Sequence, residues 1–471
     1  DARWPHASTS YAVGGGGGGD RFSALPEGII DHILSFLPAE DAVRSSVLSG
    51  LWRGDWAHAP ALNLSDERHQ GRFLAFARAV LSRYGAPDIP ALNVAIGCES
   101  NLGPGTAAWL RDAMERAVGS ISVSVTAPVP MDRLTLPRRL RAKSISLTLS
   151  SMYENADLVL PDEPCETVAF GSLVELNLSR ARLQGGGGVS LGEFLSSCCP
   201  CLRLLRLSKV SDGRHSKLQV VAANLQVLVV RYCCFYSLSQ WDTDNVVQIS
   251  APRLHNISWL GGLPGHLSFL TDCRCVQRLA LGFKWYQLKD RGFQQANAMQ
   301  LLEMCPGSDD RPTLSVLEEL VLSHLFSFSF RISVAHHFRH VDLEQISRLP
   351  NIRALSLRIA GAGRVVNCNI TPSIFFFLRQ CLNLTRLHID LSMLHQGSRS
   401  NHDYLVLPLQ EIRTSGFMGS DREMELADLL FGVRAAWPAL ERISVSFPPI
   451  ERLPDGSLLC GADGTTACIR W

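Results

Sequence analysis

One short phrase recurs along most of this chain: an apolar residue, two residues, a second apolar residue, one residue, a third. It reads Leu173-Leu176-Leu178, Leu202-Leu205-Leu207, Leu225-Leu228-Val230, Leu254-Ile257-Trp259 and Val276-Leu279-Leu281. It continues as Leu317-Leu320-Leu322, Ile352-Leu355-Leu357, Leu384-Leu387-Ile389 and Leu440-Ile443-Val445, with weaker copies at Ile89-Leu92-Val94, Val118-Ile121-Val123, Ala142-Ile145-Leu147 and Leu409-Ile412-Thr414. The middle residues at 176, 205, 228, 257 and 279 step by 29, 23, 29 and 22. The last two apolar positions are two apart, so both face one side of a short strand, while the first turns in from the preceding loop. A single unit of this kind cannot bury its apolar face, so units must stack strand on strand into a parallel sheet with a continuous interior. Each fully buried Leu or Ile contributes about 1.5–3 kcal/mol, so stability grows with the number of units.

The phrase and its spacing match the leucine-rich repeat (LRR), whose period is about 20 to 29 residues. Several copies are preceded by proline in the same place, at Cys199-Pro200, Leu349-Pro350 and Trp437-Pro438, as expected of one unit reused. Between strands, Leu191-Gly192-Glu193-Phe194-Leu195 and Ile374-Phe375-Phe376-Phe377-Leu378 carry helix-like patterns. The expected fold is therefore an α/β solenoid, with a parallel sheet on its concave face and helices or irregular turns on its convex face. An ordinary α/β domain also spaces apolar strands widely. It gives no reason for the first Leu to recur, however, and no strand end carries a Gly-rich phosphate loop.

The stretch from Asp20 to Asp66 has a different pattern. Pro26 stands where a first helical turn would begin, with Glu27 and Asp31 near that positive end. Ile29, Ile30, Ile33, Leu34 and Leu37 recur at helical spacing until Pro38 stops the run. A second short helix follows, with Glu40 and Asp41 at its start and Val43, Val47 and Leu48 as its apolar face; Trp52 and Trp56 mark a third. Helices this few bury little core, which suits one half of an interface better than a free-standing domain.

These residues resemble the F-box. The resemblance is carried by Leu25-Pro26, by Ile33-Leu34-Ser35-Phe36-Leu37-Pro38, by Asp41-Ala42-Val43-Arg44-Ser45-Ser46-Val47-Leu48-Ser49, and by Trp52-Arg53 and Trp56. Plant members usually carry Lys-Arg before the first of these Trp residues, whereas Gly50-Leu51 stand here. With the repeats that follow, the chain resembles the plant-type F-box/LRR proteins. The expected organisation is a Gly-rich N-terminus over 1–19, an F-box over 20–65, a solenoid over 66–450 and a C-terminal tail over 451–471. Many of these plant proteins carry a further C-terminal domain, which Gly416 to Trp471 does not clearly show.

The resemblance implies a substrate-recognition subunit of an SCF (Skp-cullin-F-box) E3 ubiquitin ligase, itself non-catalytic. The F-box would bind a Skp-type adaptor and through it cullin, and the solenoid would bind a target protein. It implies an adaptor surface among Leu25, Pro26, Ile33, Leu34, Leu37, Val43, Val47, Leu48 and Trp52, some of which must be the module's own core. Strand alternation nominates solvent-facing concave positions, and among them Arg206, Arg231, Arg358, Arg386, His388 and Asp390 are the expected target contacts. Two alternatives are an LRR scaffold whose F-box has decayed at Gly50-Leu51, and a small-molecule receptor of the F-box/LRR plan. The second lacks support in the sequence, where no dense basic ring stands out.

Composition narrows the remaining classes. A formal net charge of +1 with 19% charged residues argues against a nucleic-acid binder driven by bulk charge. No apolar run approaches the roughly 18 residues of a membrane span. The opening DARWPHASTSYAV lacks the apolar core of a secretory signal, and begins on Asp1 rather than Met, as in a fragment or a renumbered chain. Six glycines, Gly14 to Gly19, read as a flexible linker within an N-terminus expected to be disordered. Fourteen cysteines in 471 residues are too sparse for a disulfide framework, and apolar settings around Cys198, Cys199, Cys305 and Cys381 read as reduced buried thiols, which fits a cytoplasmic or nuclear setting.

No chemistry-bearing motif survives inspection. Cys198-Cys199-x-Cys201, Cys233-Cys234 and Cys273-x-Cys275 lack the two-to-four spacing of paired zinc ligands. His336-His337-x-x-His340 lacks the glutamate of a zinc protease. Gly185 to Gly188 and Gly361-Ala362-Gly363 open no phosphate loop. No nucleophile elbow or kinase signature is present, so neither metal, cofactor nor catalytic residue is expected.

Overall fold

The computed structural model describes residues 25–46, 54–69, 71–97, 105–127, 133–151, 156–161, 169–185, 189–212, 217–233, 246–260, 266–269, 276–284, 316–324, 353–361, 378, 381–393, 410–415, 441–446, 450–452, 458–460 and 466–470. Their dominant feature is a 15-stranded sheet whose strands follow one another in chain order. It runs from Ala61–Ser65 through Ile89–Ile96, Ala117–Ala127, Ser144–Ser151, Glu175–Ser179, Leu204–Ser208, Val227–Arg231, Asn256–Leu260 and Arg278–Lys284. It continues through Val316–His324, Ala354–Gly361, Arg386–Met393, Glu411–Ser415 and Arg442–Ser446 to Thr466–Arg470. Every neighbouring pair is parallel except the last, where Thr466–Arg470 runs antiparallel to Arg442–Ser446. The stretch expected as a tail thus contributes the final strand of the sheet.

The repeated phrase sets the register. Leu176 pairs with Leu205, Leu205 with Leu228, Leu228 with Ile257 and Ile257 with Leu279, so the middle residues form one buried column. The third residues form a second column, and the first apolar residues are buried beneath the turn that precedes each strand. That turn recurs in one form: the N–H of Leu173 donates to Phe170, Leu202 to Cys199, Leu225 to Ala222, Leu254 to Ala251 and Leu384 to Cys381, at 3.0–3.2 Å. Arg180, Lys209 and Tyr232 each leave a strand in the left-handed region, at φ 54°, 53° and 52°. Their N–H groups donate to the next repeat's Ser208, Arg231 and Leu260, which offsets a cost of about 1 kcal/mol per residue.

The opposite side of the solenoid departs from expectation. Over the central repeats it is built mainly of strands: Leu134–Thr135, Ala156–Leu160, Ala181–Gly185 and Ser211–Asp212 form one small parallel sheet, and Lys217–Val221, Val246–Ser250 and His266–Phe269 another. Ala156–Leu160 alternates buried and half-buried residues, a period of two that no helix can satisfy. Helices occur where the apolar spacing is three to four: α1 Glu27–Phe36, α2 Ala39–Ser45, α3 Phe73–Arg83, α4 Thr106–Arg116 and α5 Leu191–Cys198. The expected α5 starts with a capping box between Ser190 and Glu193. It lies so close to Lys217–Val221 that a Cβ on Gly192 would fall 2.1 Å from the Gln219 carbonyl oxygen. Of the second helix-like segment only Leu378, buried, is among the described residues.

The N-terminal helices keep a core of their own, made by Ile30, Leu34, Ala42 and Ala59, with Leu25, Ile33, Leu37 and Trp56 packed on it. Of the expected third helix, Trp52 lies outside the described residues, and Trp56 sits in a single 3-10 turn, Asp55–His58. Trp56 also packs against the solenoid core. The sheet's first strand, Ala61–Ser65, begins inside the span expected for the F-box, and here the two parts are joined. Asn63 donates from Nδ2 to the carbonyls of Ser35 (2.8 Å) and Leu37 (2.9 Å) at the end of α1, and its Oδ1 accepts from Asn93 on the second strand (2.7 Å). Arg68 bridges Asp41 at 2.9 Å and Glu40 at 3.1 Å, and His69 pairs with Glu40. The Tyr84 hydroxyl donates to Ala59 at 2.7 Å.

Asn63→Ala leaves two helix-end carbonyls and the Asn93 amide without this partner. It is expected to cost about 1–3 kcal/mol, read by chemical denaturation of the full chain. Thr414 occupies the buried column next to Ile389 and Val445, 3% exposed, and among the described residues its Oγ1 has no hydrogen-bond partner. Thr414→Val keeps the shape and removes the stranded hydroxyl, so the melting temperature should rise, by an amount equivalent to roughly 1 kcal/mol.

Candidate functional site

Two surfaces among the described residues combine exposure with side chains suited to binding. The first is on the N-terminal helices. Phe36 is 72% exposed and Ile29 46%, unusual for large apolar side chains on so small a module. Pro26 is exposed beside them, and Leu25, Ile33, Leu37 and Val43 are half-buried. Leu34, nominated as a contact, is 1% exposed and belongs to the module's core, because its position on α1 turns it toward Ala42 and Ala59. Val47, Leu48 and Trp52 lie outside the described residues, as do Gly50 and Leu51. Phe36 belongs to the F-box-like motif and Ile29 to the apolar run of α1, and neither is among the expected contacts. The helical period separates them from Ile30 and Leu34, and that period was the signal available.

Near this surface Asp55 is grouped with Asp31 and Glu27. Partial burial pushes the Asp55 carboxyl above its ordinary value, and the charges of Asp31 and Glu27 push it further, against an opposing pull from His58.

The second surface is the concave face of the main sheet. Residues opposite one another in register run Asn63, Asn93, Ser122, Ser146, Asn177, Arg206, Val229 and Ser258. The row resumes as Ser356, His388, Arg413 and Ser444. Neighbours in it hydrogen-bond across strands: Asn177 to Ser146 at 3.2 Å and Ser356 with His388 at 3.2 Å. His388 also meets Ser415 at 3.1 Å, so both ring nitrogens are engaged.

Thr148 and Ser446, ten strands apart along the sheet, line the same cavity of about 1290 Å³. At about 4.8 Å per strand a flat sheet would separate them by roughly 48 Å, so the cavity is a product of curvature. Five guanidinium groups line it, from Arg206, Arg231, Arg278, Arg386 and Arg413. Arg413 is held by Glu411 at 2.8 Å, and Arg442 reaches the same carboxylate at 3.4 Å. For Arg206, Arg231 and Arg386 no carboxylate among the described residues lies within ion-pair distance. Of the nominated target contacts, Arg206, Arg231, Arg386 and His388 meet at this cavity. Arg358 and Asp390 face each other in register on adjacent strands, and their side chains lie outside the description. Arg278 and Arg413 were readable as solvent-facing but were not singled out, since strand alternation alone does not say which repeats the curvature draws together.

The thiols behave as core atoms. Cys198, Cys199 and Cys381 are buried, and desolvation pushes Cys381 up to about 12. Cys201 is exposed. Cys234, Cys273, Cys275, Cys305 and the histidine cluster at 336–340 lie outside the described residues. Among the described residues no group of three or more His, Cys, Asp or Glu side chains is placed to hold a metal.

No family model matches the chain. It is similar to an F-box/FBD/LRR-repeat protein of Arabidopsis thaliana, 30% identical over 247 residues that cover 51% of this chain and 48% of that protein. An Arabidopsis F-box protein is 31% identical over 201 residues, 41% of this chain and 61% of its own length. A second F-box/FBD/LRR-repeat protein of Arabidopsis is 23% identical over 402 residues, covering 81% of this chain and 85% of itself. The chain spans about half the length of the first of these relatives. A parallel-stranded solenoid carrying a small helical module at its N-terminal edge goes with these likenesses: in fold and in sequence the chain is similar to plant F-box/LRR proteins.

The acidic group on the N-terminal module gives a pH-dependent prediction. A raised carboxyl pKa means that the ionised form is disfavoured in the folded state. The penalty is fully present at neutral pH and disappears as pH falls below the unfolded carboxylate range. Asp55→Asn should therefore stabilise the module at neutral pH, and thermal melts of the two proteins should converge in acid.

Proposed function

We propose that this protein is the substrate-recognition subunit of an SCF-type E3 ubiquitin ligase, non-catalytic itself. The N-terminal module binds a Skp-type adaptor and through it cullin, and the concave face holds a target protein. The carrying observation is the exposure of Phe36 and Ile29 on a module whose own core, among the described residues, is made by four buried side chains. Apolar side chains left out on a small helical pack fit a partner helix better than they fit water. A cytoplasmic or nuclear setting goes with this reading.

The work of such a subunit is positional. A bound target has a high effective concentration of its lysines beside an activated thioester made elsewhere. That advantage requires the two surfaces to keep a fixed relation, and the Asn63, Arg68 and Tyr84 contacts between module and first repeats supply it. A small-molecule receptor is less well supported, because ligand pockets are mostly apolar and this cavity is lined chiefly by Ser, Thr, Asn and Arg.

The full chain co-expressed with a Skp-type adaptor is expected to co-purify with it, and Phe36→Glu to abolish that without lowering thermal stability by more than about 0.5 kcal/mol. A wild-type chain that folds but captures no adaptor would leave only an LRR interaction scaffold.

A further inference from the structure

We infer that this chain is built to escape modification by the ligase it serves. Its binding surfaces carry arginine in place of lysine, and its acceptor amines for ubiquitin are confined to a central band of repeats. Lys143 and Lys209 are the exposed acceptors among the described residues. The inference rests on the ligase reading above and adds a regulation to it. Of the 45 Lys and Arg side chains, 40 are Arg and only five are Lys: Lys143, Lys209, Lys217, Lys284 and Lys289. The first 142 residues hold 14 Arg and no Lys, and residues 290–471 hold 17 Arg and no Lys. Structural need explains part of this bias. Arg116 donates to the carbonyls of Leu81 at 3.0 Å and Ala86 at 2.6 Å, which uses the guanidinium fork. Need does not explain Arg78 and Arg83, exposed on α3, where lysine has nearly the same helix propensity.

The two cations differ in how they meet a thioester. A neutral ε-amine attacks the thioester carbonyl carbon of ubiquitin held on a conjugating enzyme. A C–N bond forms, the C–S bond breaks, and the leaving thiolate takes the proton that the new amide nitrogen loses. A guanidinium stays protonated and has no electron pair to offer. A subunit held in the ligase stays beside that thioester, so its own amines would compete with those of every target. The concave cavity is lined by Arg206, Arg231, Arg278, Arg386 and Arg413 and, among the described residues, by no Lys. At the joint between module and solenoid the ion pairs to Asp41 and Glu40 come from Arg68. Lys143 and Lys209 lie off the cavity. Lys143 precedes the fourth strand of the main sheet and Lys209 follows the sixth, so in a parallel sheet they stand on opposite rims. The N–H of Lys143 donates to Gly119 and that of Lys209 to Arg231, both at 2.7 Å, which fixes each backbone while the side chain stays exposed.

The full chain, assembled with a Skp-type adaptor and cullin into the complete ligase, is incubated with ubiquitin, its activating and conjugating enzymes and ATP. Ubiquitin remnants on the chain are mapped by mass spectrometry. The wild-type chain is expected to carry little ubiquitin, most of it on Lys143 and Lys209. Lys143→Arg with Lys209→Arg should lower the total at least about threefold. Arg78→Lys with Arg83→Lys, and separately Arg206→Lys with Arg386→Lys, keep every charge. Each pair is expected to add its own sites and raise the total at least about threefold. If neither pair is modified, the shortage of amines protects nothing and the inference falls. It falls also if wild-type ubiquitin sits mainly on Lys217, Lys284 or Lys289, on the α-amino group, or on Ser, Thr or Cys. A chain with an appended lysine-rich tail reads the ligase itself. Wild-type modification equal to that of the tailed chain overturns the inference. A modified tail beside unmodified Arg→Lys pairs sinks only this inference, and an unmodified tail sinks the ligase reading.

Discussion

Everything in this molecule depends on one strand stacking on the next with its apolar residues in line. Leu176, Leu205, Leu228, Ile257 and Leu279 are not partners in sequence, yet they form one uninterrupted buried column. Each repeat completes the burial of its neighbour, so removing any one exposes two faces. The backbone does the same: the carbonyl of Val174 accepts from Arg203 and Leu204, and the carbonyl of Arg203 accepts from Gln226 and Val227. Apolar columns and shared carbonyls together make the period of the sequence into the pitch of the structure.

A stack of this kind has open edges, and an exposed edge strand is a template for unwanted pairing. The first strand's edge is covered, and the last described strand of the sheet reverses direction. At the C-terminal end Thr466–Arg470 folds back antiparallel on Arg442–Ser446. At the N-terminal end the helical module sits against the first strand, Pro38 makes a bridge to Asn63, and the Asn63 amide satisfies carbonyls at the end of α1. The module thus caps the solenoid while presenting Phe36 and Ile29 outward. One arrangement covers that edge and holds the exposed apolar residues in a fixed relation to the sheet.

The repeats, their register and the concave face were legible because a period-two strand and a periodic leucine leave a direct trace in the chain. The likeness to the F-box was legible as a dense motif, Leu25-Pro26 through Trp56. Less legible was the convex side. Helix-like pattern at Leu191 to Leu195 did become α5, but Ala156–Leu160 and Val246–Ser250 are too short for their alternation to have stood out against a helical expectation. The division of the module's apolar residues was legible in part: the helical period separates Leu34 from Phe36, but which of the two sides meets Ala42 and which meets solvent is decided by packing.

The arginines show where local reading ends. Arg206, Arg231, Arg278, Arg386 and Arg413 each stand at an ordinary solvent-facing strand position, and spread along the chain they formed no visible basic cluster. Which side of a strand a residue faces is a two-residue property, present in the sequence. Which distant repeats share a cavity depends on the small rotation between successive strands, summed over ten of them, and that sum exists only in the folded molecule.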